Sequence, residues 1–140
     1  MKKGLSLLEA LVMLAVASLM ILAASTPLLN LSPKYRLKKA AGEIYARLNY
    51  ARYRAIFDGQ ALRVSFRPSG YTIEKYDSSQ KKWRPVTSGA PEGVRIEANN
   101  SPIFHPVGTV SNLATIVVSN SWGKYKLTLA ISGRIRMVLL

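Results

Sequence analysis

Glu9 is the residue whose type and setting most clearly predict chemistry in this sequence. It is the only ionisable side chain between Gly4 and Leu31, in a stretch made otherwise of apolar residues with a few Ser, Thr and Asn. A carboxylate in an apolar helix is costly unless it meets a positive charge, so such a residue marks a functional site by default. We therefore expect Glu9 to have a functional role.

The rest of the sequence excludes several kinds of catalytic site. The chain has no Cys and a single His, His105, which excludes disulfides, thiolate chemistry and a cluster of His ligands for zinc. No nucleophile motif or phosphate-binding Gly loop is present, and we expect His105 to be a structural or surface residue. The remaining acidic residues are scattered without metal-ligand spacing. The sequence therefore predicts a non-enzyme with no catalytic residue, metal or cofactor.

The charge balance indicates an anionic partner. Twenty Lys and Arg face seven Asp and Glu, a formal net charge of +13, and every basic residue except Lys2 and Lys3 follows Ser32. One cluster comes directly after the apolar stretch, where lipid headgroups are the expected partner. Its members are Lys34, Arg36, Lys38 and Lys39.

Two further basic segments carry aromatic residues. Lys81, Lys82 and Arg84 surround Trp83, and Lys124 and Lys126 follow Trp122. Cations beside aromatics suit a nucleic-acid backbone with stacked bases. The alternative is that each Trp covers an edge of the core, with the cations solvated.

Two helical segments must position these residues. Residues 5–31 would form a helix of roughly 40 Å, longer than a bilayer core of about 30 Å, and Pro27 is expected to kink it or interrupt its hydrogen bonds. Residues 34–57 form a second helical pattern that ends at Asp58-Gly59. Its apolar stripe is expected to pack on a sheet and consists of Leu37, Ala41, Ile44, Leu48, Ala51 and Ala55.

From Gly59 onward the hydrophobic period changes to two, which predicts antiparallel strands and an α+β fold. The expected strands are 62–67, 71–76, 94–98, 113–118, 124–131 and 134–139. A three-residue connection, Ser132–Arg134, should pair Ile131 with Ile135 and Leu129 with Met137, so that these four face the core and Arg134 and Arg136 face solvent.

The N-terminus resembles a known leader. Lys2-Lys3-Gly4, followed by Leu5-Ser6-Leu7-Leu8-Glu9 and an apolar helix, is similar to the class III leader of type IV pilins and type II secretion pseudopilins. The resemblance implies that a prepilin peptidase cuts between Gly4 and Leu5, that Leu5 is N-methylated, and that Glu9 meets the N-terminal amine of a neighbouring subunit. Two alternatives stay open: a secretory signal cut near Ala23-Ala24-Ser25, and a plain membrane anchor.

The rest of the chain resembles the GspH/FimT branch of the pilin-like proteins. Three segments carry the likeness: Ala51–Val64, Phe104–Gly108 and Ile131–Arg136. The resemblance implies a pilin-like fold, with a long N-terminal hydrophobic helix packed on a C-terminal antiparallel sheet. It also implies a minor pseudopilin or pilin that helps to start or tip a filament with other such subunits.

The resemblance also implies a place in the cell and a division of the chain. The protein would be single-pass in the bacterial inner membrane, in contact with its lipid, with its C-terminal domain on the periplasmic side. The expected regions are a leader 1–4, an assembly helix 5–31, its amphipathic continuation 32–59 and a sheet domain 60–140. In the alternative function, a DNA-binding minor pilin for natural transformation, Arg134 and Arg136 would match a Gly-Arg-x-Arg motif that binds DNA.

Overall fold

The computed structural model describes Gly4 and residues 6–140, while the side chains of residues 25–31 lie outside this description. The chain divides into two compact units, Met1–Ser32 and Pro33–Leu140, and each is described by itself. Helix α1 spans Leu7–Asp58 and is the element that both units share. Its backbone is helical at Pro27, so this proline does not end the helix.

Nine strands follow α1 within the described residues. They are β1 (Leu62–Arg67), β2 (Gly70–Asp77), β3 (Lys82–Gly89), β4 (Arg95–Ala98), β5 (Ile103–Phe104), β6 (Val110–Ser111), β7 (Thr115–Ser119), β8 (Lys124–Leu129) and β9 (Ile135–Leu139). The first sheet has the order β3-β2-β1-β5-β6 and the second the order β4-β7-β8-β9. Every described strand pair is antiparallel, which confirms the predicted α+β architecture of a helix on antiparallel sheets.

The core of the unit Pro33–Leu140 lies between the second half of α1 and both sheets. All six residues of the predicted helix stripe are buried, with exposed fractions of at most 1%. Five of them, all except Ala41, share one hydrophobic cluster with strand residues such as Phe104 of the first sheet and Leu127 of the second. The 3.6-residue period of the stripe and the two-residue period of the strands therefore meet in a single core.

The helix ends where the sequence predicts. Gly59 has a φ of +64°, and the N–H of Gln60 donates to the carbonyl of Ala55 at 3.3 Å. Gln60 is the second residue after the helix, and its bond reaches back to the last helical turn. Such a bond typically accompanies a glycine in the left-handed conformation at the end of a helix.

The segment Lys81–Arg84, which lies outside all the expected strands, is mostly part of a strand. Only Lys81 lies in the turn, with a φ of +51°, while Lys82 and Arg84 belong to β3. Strand β3 is an edge strand with Pro85 in its middle, and an edge is where a sheet accommodates a residue without an N–H. Its polar sequence has no alternating apolar face, which is why the period-two pattern misses it.

The predicted register of the last hairpin was wrong. Leu129 pairs with Ile135 and Leu127 with Met137, so the connection spans residues 130–134. The carbonyl of Ile131 accepts a hydrogen bond from the N–H of Val110 in β6 at 2.9 Å. The Ile131 side chain is 66% exposed. Met137 is also exposed at 40%, because β9 is the edge of its sheet. Arg134 and Arg136 are exposed, as the sequence predicts.

Candidate functional site

The first unit carries the candidate assembly segment. Leu7–Ala24 is long and apolar enough to cross a membrane, and none of this window is buried within the chain. Its large side chains present most of their surface, with Leu7 79% and Leu22 69% exposed. An apolar surface of this extent is stable only when lipid or other apolar helices cover it.

Glu9 lies in the first turn of α1 and is exposed. A carboxylate here interacts favourably with the unpaired N–H groups of the first helical turn. No ion pair to Glu9 occurs among the residues that the structure describes. Of the predicted cleavage pair, Gly4 is described and exposed, while Leu5 lies outside the described residues.

Three of the predicted DNA-contact residues share one face of the second sheet. Lys124 and Lys126 alternate on β8, and Arg136 on β9 is opposite Thr128, the next residue of that face. Lys126 pairs with Val117 on one side and Val138 on the other. Successive residues of a strand point to opposite faces, so these cations project away from the core face of Leu127 and Leu129. We call Lys124, Lys126 and Arg136 the basic face.

Arg134 lies beside the basic face in a loop that is fixed from inside the protein. The loop closes with hydrogen bonds from Ala130 N–H to the Arg134 carbonyl and from Gly133 N–H to the Ala130 carbonyl, both 2.9 Å. Gly133 is buried and has a φ of +79°. The guanidinium of Arg52 in α1 donates from Nη2 to the Ser132 carbonyl at 3.0 Å. Arg52 therefore supports the loop that displays Arg134.

Lys81, Lys82 and Arg84 do not join the basic face, because they lie on the edge of the first sheet. Arg84 Nε is 2.9 Å from the carboxylate of Asp77 across the β2–β3 hairpin. Lys81 in its turn and Lys82 at the start of β3 are both exposed. The structure thus separates the predicted DNA contacts into two groups.

Neither Trp belongs to the buried core. The Arg63 guanidinium carbon lies 4.6 Å from the Trp83 ring centroid, and Tyr76 meets the same ring edge-on at 5.3 Å. The Lys34 ammonium lies 5.2 Å from the Trp122 ring centroid. Each Trp is therefore held by a cation on the surface, a pairing that the sequence does not show because the partners are distant along the chain.

Glu74 ties the Trp83 cluster together. It accepts from Arg63 Nε at 2.6 Å and from Ser65 Oγ at 2.7 Å. Burial by itself raises the pKa of Glu74, but the hydrogen bonds from Arg63 and Ser65 and the charges of Arg63 and Arg67 outweigh it, so the pKa lies below its ordinary value. Glu74 is accordingly an ionised structural residue.

A second polar contact joins α1 to the first sheet. Tyr71 Oη donates to Glu43 Oε1 at 2.7 Å. Burial, followed by this hydrogen bond and the charge of Glu43, raises the pKa of Tyr71 above its ordinary value. The phenol stays protonated and serves as a donor in the core wall.

His105 has a structural contact in the β5–β6 hairpin. Its Nε2 and Ser111 Oγ are 2.8 Å apart, and its backbone N–H donates to the Thr109 carbonyl at 2.9 Å. Within the described residues, no three His, Cys, Asp or Glu side chains come together as metal ligands. The surfaces that stand out are consequently the apolar span, the basic face and the two Trp clusters.

A membrane-length apolar helix continuing into a domain with two antiparallel sheets is the architecture of a pilin-like protein. The family model described as type II transport protein GspH matches residues 40–134. The chain therefore belongs to the GspH family, which confirms the resemblance to the GspH/FimT branch.

Solved structures with the same fold include two of the minor pseudopilin EpsH from the type II secretion system of Vibrio cholerae. One is 17% identical, with a TM-score of 0.64 over 74% of this chain and 97% of that one. The other is 16% identical, with a TM-score of 0.64 over 75% of this chain and 94% of that one. The solution structure of E. coli GspH is 16% identical, with a TM-score of 0.63 over 75% of this chain and 89% of that one. No curated protein sequence matches the chain.

Proposed function

We propose that this chain is a minor pseudopilin of a type II secretion system. The observation that supports it best is the GspH match over residues 40–134, preceded by an exposed apolar span with Glu9 near its start. The span anchors the protein in the inner membrane as a single pass, and the domain 60–140 is displayed on the periplasmic side. A leader 1–4 is removed, and residues 5–31 and 32–59 form the assembly helix and its continuation.

Assembly follows from covering the span. In the bilayer its apolar side chains meet lipid, and in a filament they meet the helices of neighbouring subunits. Cleavage between Gly4 and Leu5 by a prepilin peptidase creates a new amine on Leu5, which is methylated. Glu9 of one subunit pairs with the amine of the next, because two opposite charges attract strongly in an apolar bundle and an unpaired one is costly.

Replacing Glu9 tests this role in cells. A strain lacking its own copy is complemented with wild type, Glu9→Gln or Glu92→Gln, an exposed acidic control in the sheet domain. We expect Glu9→Gln to lower both secreted enzyme and recovery of the chain with other pseudopilins by about tenfold or more, since an amine then loses its buried partner. Glu92→Gln should match wild type. Full secretion and co-purification by Glu9→Gln would contradict the proposal.

The same assembly mechanism would serve a type IV pilus. The helix, leader and Glu9 act alike in both filaments, so the distinction lies in the partners. Recovery of the chain with pilins rather than pseudopilins would assign it to a pilus.

A second candidate function, DNA binding for natural transformation, is favoured by the basic face. Lys124, Lys126 and Arg136 lie on adjacent strands with Arg134 beside them, and none of the four has an ion pair within the described structure. Such a face can contact successive phosphates of a DNA backbone.

Salt dependence distinguishes this candidate. Affinity of the full chain in detergent micelles for duplex DNA is measured against salt, with Arg134→Ala/Arg136→Ala and with Lys81→Ala/Lys82→Ala as the control pair. If the basic face binds phosphates, the arginine pair should reduce the slope of log K against log salt by about two. An unchanged slope, or equal losses in both pairs, would remove these arginines from the DNA hypothesis.

A further inference from the structure

The β7–β8 loop returns to the beginning of the unit Pro33–Leu140. Asn120 Nδ2 donates to the Pro33 carbonyl at 2.7 Å. Asn120 Oδ1 accepts from the Trp122 N–H at 2.9 Å, and Asn120 N–H bonds the Gly123 carbonyl at 3.0 Å. The loop is therefore fixed, and it holds Trp122 near Lys34, which comes 88 positions earlier in the chain.

Two exposed aromatic side chains mark this end of the domain. The side chain of Tyr35 is 64% exposed and that of Trp122 is 42% exposed. Both are large aromatic side chains with one polar group. Trp and Tyr with an apolar body and a polar edge are enriched at the boundary between lipid and water. The Lys34 ammonium, 5.2 Å from the Trp122 ring centroid, adds a positive charge at the same place.

A cleft next to these aromatics is suited to an anionic group. It has a volume of about 480 Å³, and the residues that line it include Arg36, Arg95, Ser119 and Ser121. Arg95 also pairs with Glu97 at 3.0 Å, but both side chains are more than 60% exposed. An exposed pair of this kind contributes little and can exchange for a stronger anion.

The chain itself keeps this end of the domain near a membrane. The apolar window ends at Ala24, and Pro33 comes nine residues later. Whatever its path, a nine-residue step reaches at most about 30 Å. Basic groups tethered this close to a bilayer are drawn to anionic lipids, by roughly fivefold in membrane affinity for each Lys or Arg at the surface.

We propose that Lys34, Tyr35, Arg36, Arg95 and Trp122, here called the headgroup collar, bind the surface of an anionic phospholipid bilayer. Trp122 and Tyr35 enter the headgroup layer, while Arg36 and Arg95 bind a lipid phosphate in the cleft. The collar holds the unassembled domain against the membrane. The inference rests on the proposed membrane anchor, although it concerns a different part of the chain.

Trp fluorescence in nanodiscs tests the headgroup collar on the full chain. The sequence has two Trp, so Trp83→Phe leaves Trp122 alone and Trp122→Phe leaves Trp83 as the control. Nanodiscs contain phosphatidylcholine with or without phosphatidylglycerol, with acyl chains brominated near the headgroup. In nanodiscs that contain phosphatidylglycerol, we expect the bromine atoms to quench about half of the Trp122 emission, whereas the emission of Trp83 stays unquenched.

Charge substitutions extend the test. In the Trp83→Phe background, Arg36→Gln/Arg95→Gln should restore most of the Trp122 emission, whereas Lys81→Gln/Lys82→Gln, which removes the same charge elsewhere, should not. Quenching of Trp122 that is absent, equal without phosphatidylglycerol or equal for Trp83 would overturn the inference. Reversal by inorganic phosphate at constant ionic strength would assign the cleft to free phosphate, and reversal by an oligonucleotide would assign it to nucleic acid.

Co-elution of chain and nanodisc separates this inference from the anchor. A chain that co-elutes but shows no Trp122 quenching refutes the collar and leaves the anchor intact. A chain that does not co-elute refutes the anchor and the collar together.

Discussion

Arg52 donates a hydrogen bond from Nη2 to the Ser132 carbonyl at 3.0 Å, across 80 residues of sequence. Its Nε is buried and has no hydrogen-bond partner among the described residues, and a Cβ at Gly133 would lie only 2.5 Å from it. The helix thus reaches the loop of the last hairpin through one side chain. That loop also carries Arg134 beside the basic face. Because Arg52 packs so close to Gly133, the conformation of the loop depends on the absence of a side chain at Gly133.

Gly133→Ala should destabilise the protein. A methyl group would meet Arg52, and the φ of +79° is one that alanine rarely adopts. We expect a loss of about 1–3 kcal/mol in the free energy of unfolding, measured by urea denaturation of the full chain in micelles.

Gly42→Ala is the matched control for this prediction. Gly42 lies within α1, where a Cβ would meet no described atom within 4 Å apart from the adjacent residues and the nearby backbone of the helix itself. Alanine there should stabilise the helix by about 0.5–1 kcal/mol. Equal effects of the two substitutions would show that Arg52 does not constrain Gly133.

Leu48→Ala should be among the more damaging substitutions in the helix stripe. Leu48 is fully buried and belongs to the cluster that joins α1 to both sheets. Removing its side chain leaves a cavity and should cost about 2–5 kcal/mol of unfolding free energy. Thermal denaturation followed by circular dichroism measures the loss. Tyr53→Ala, at a helix position 64% exposed, should change stability by less than about 1 kcal/mol.

Glu74 should stabilise the protein in a pH-dependent manner. Its pKa in the folded state lies below the ordinary value of 4.5. The stabilisation is therefore fully present above pH 4.5 and is lost as the pH falls through the lower folded-state pKa. Near neutral pH, Glu74→Gln should cost about 0.5–1.5 kcal/mol, because it removes a charged partner from Arg63.

Glu97→Gln provides the comparison for Glu74. Its ion pair with Arg95 is exposed, with 61% of the Glu97 side chain accessible, so its loss should have little effect at any pH. Urea denaturation of both variants between pH 7 and pH 3 measures the difference. A stability gap for Glu74→Gln that widens as the pH falls would contradict this account of Glu74.

The sequence was sufficient to predict elements with a strong hydrophobic period. The stripe from Leu37 to Ala55 is buried as expected, and β1, β2, β7 and β8 lie close to the predicted ranges. These elements have apolar faces that a single core must cover, so local pattern and tertiary packing agree. Strand β3 was not predicted because its polar sequence lacks an alternating apolar pattern. It forms a strand through its pairing with β2.

The surfaces depend on contacts that no local pattern reveals. The register of β8 and β9 follows from the bonds of Ile131 to Val110 and of Ser132 to Arg52, which join distant parts of the chain. The contact between Lys34 and Trp122 likewise joins residues that are distant in the sequence. Both the predicted and the observed register put Lys124, Lys126 and Arg136 on one face, but the observed one moves Arg136 from opposite Ala130 to opposite Thr128, closer to Lys126.

Intact mass of the protein extracted from membranes tests the central proposal most directly. A minor pseudopilin should lack Met1–Gly4 and begin with an N-methylated Leu5. The protein is taken from the cells in which wild type, unlike Glu9→Gln, co-purifies with other pseudopilins. A mature protein that begins near Ser25 or Thr26, or that retains Met1–Gly4, would contradict it.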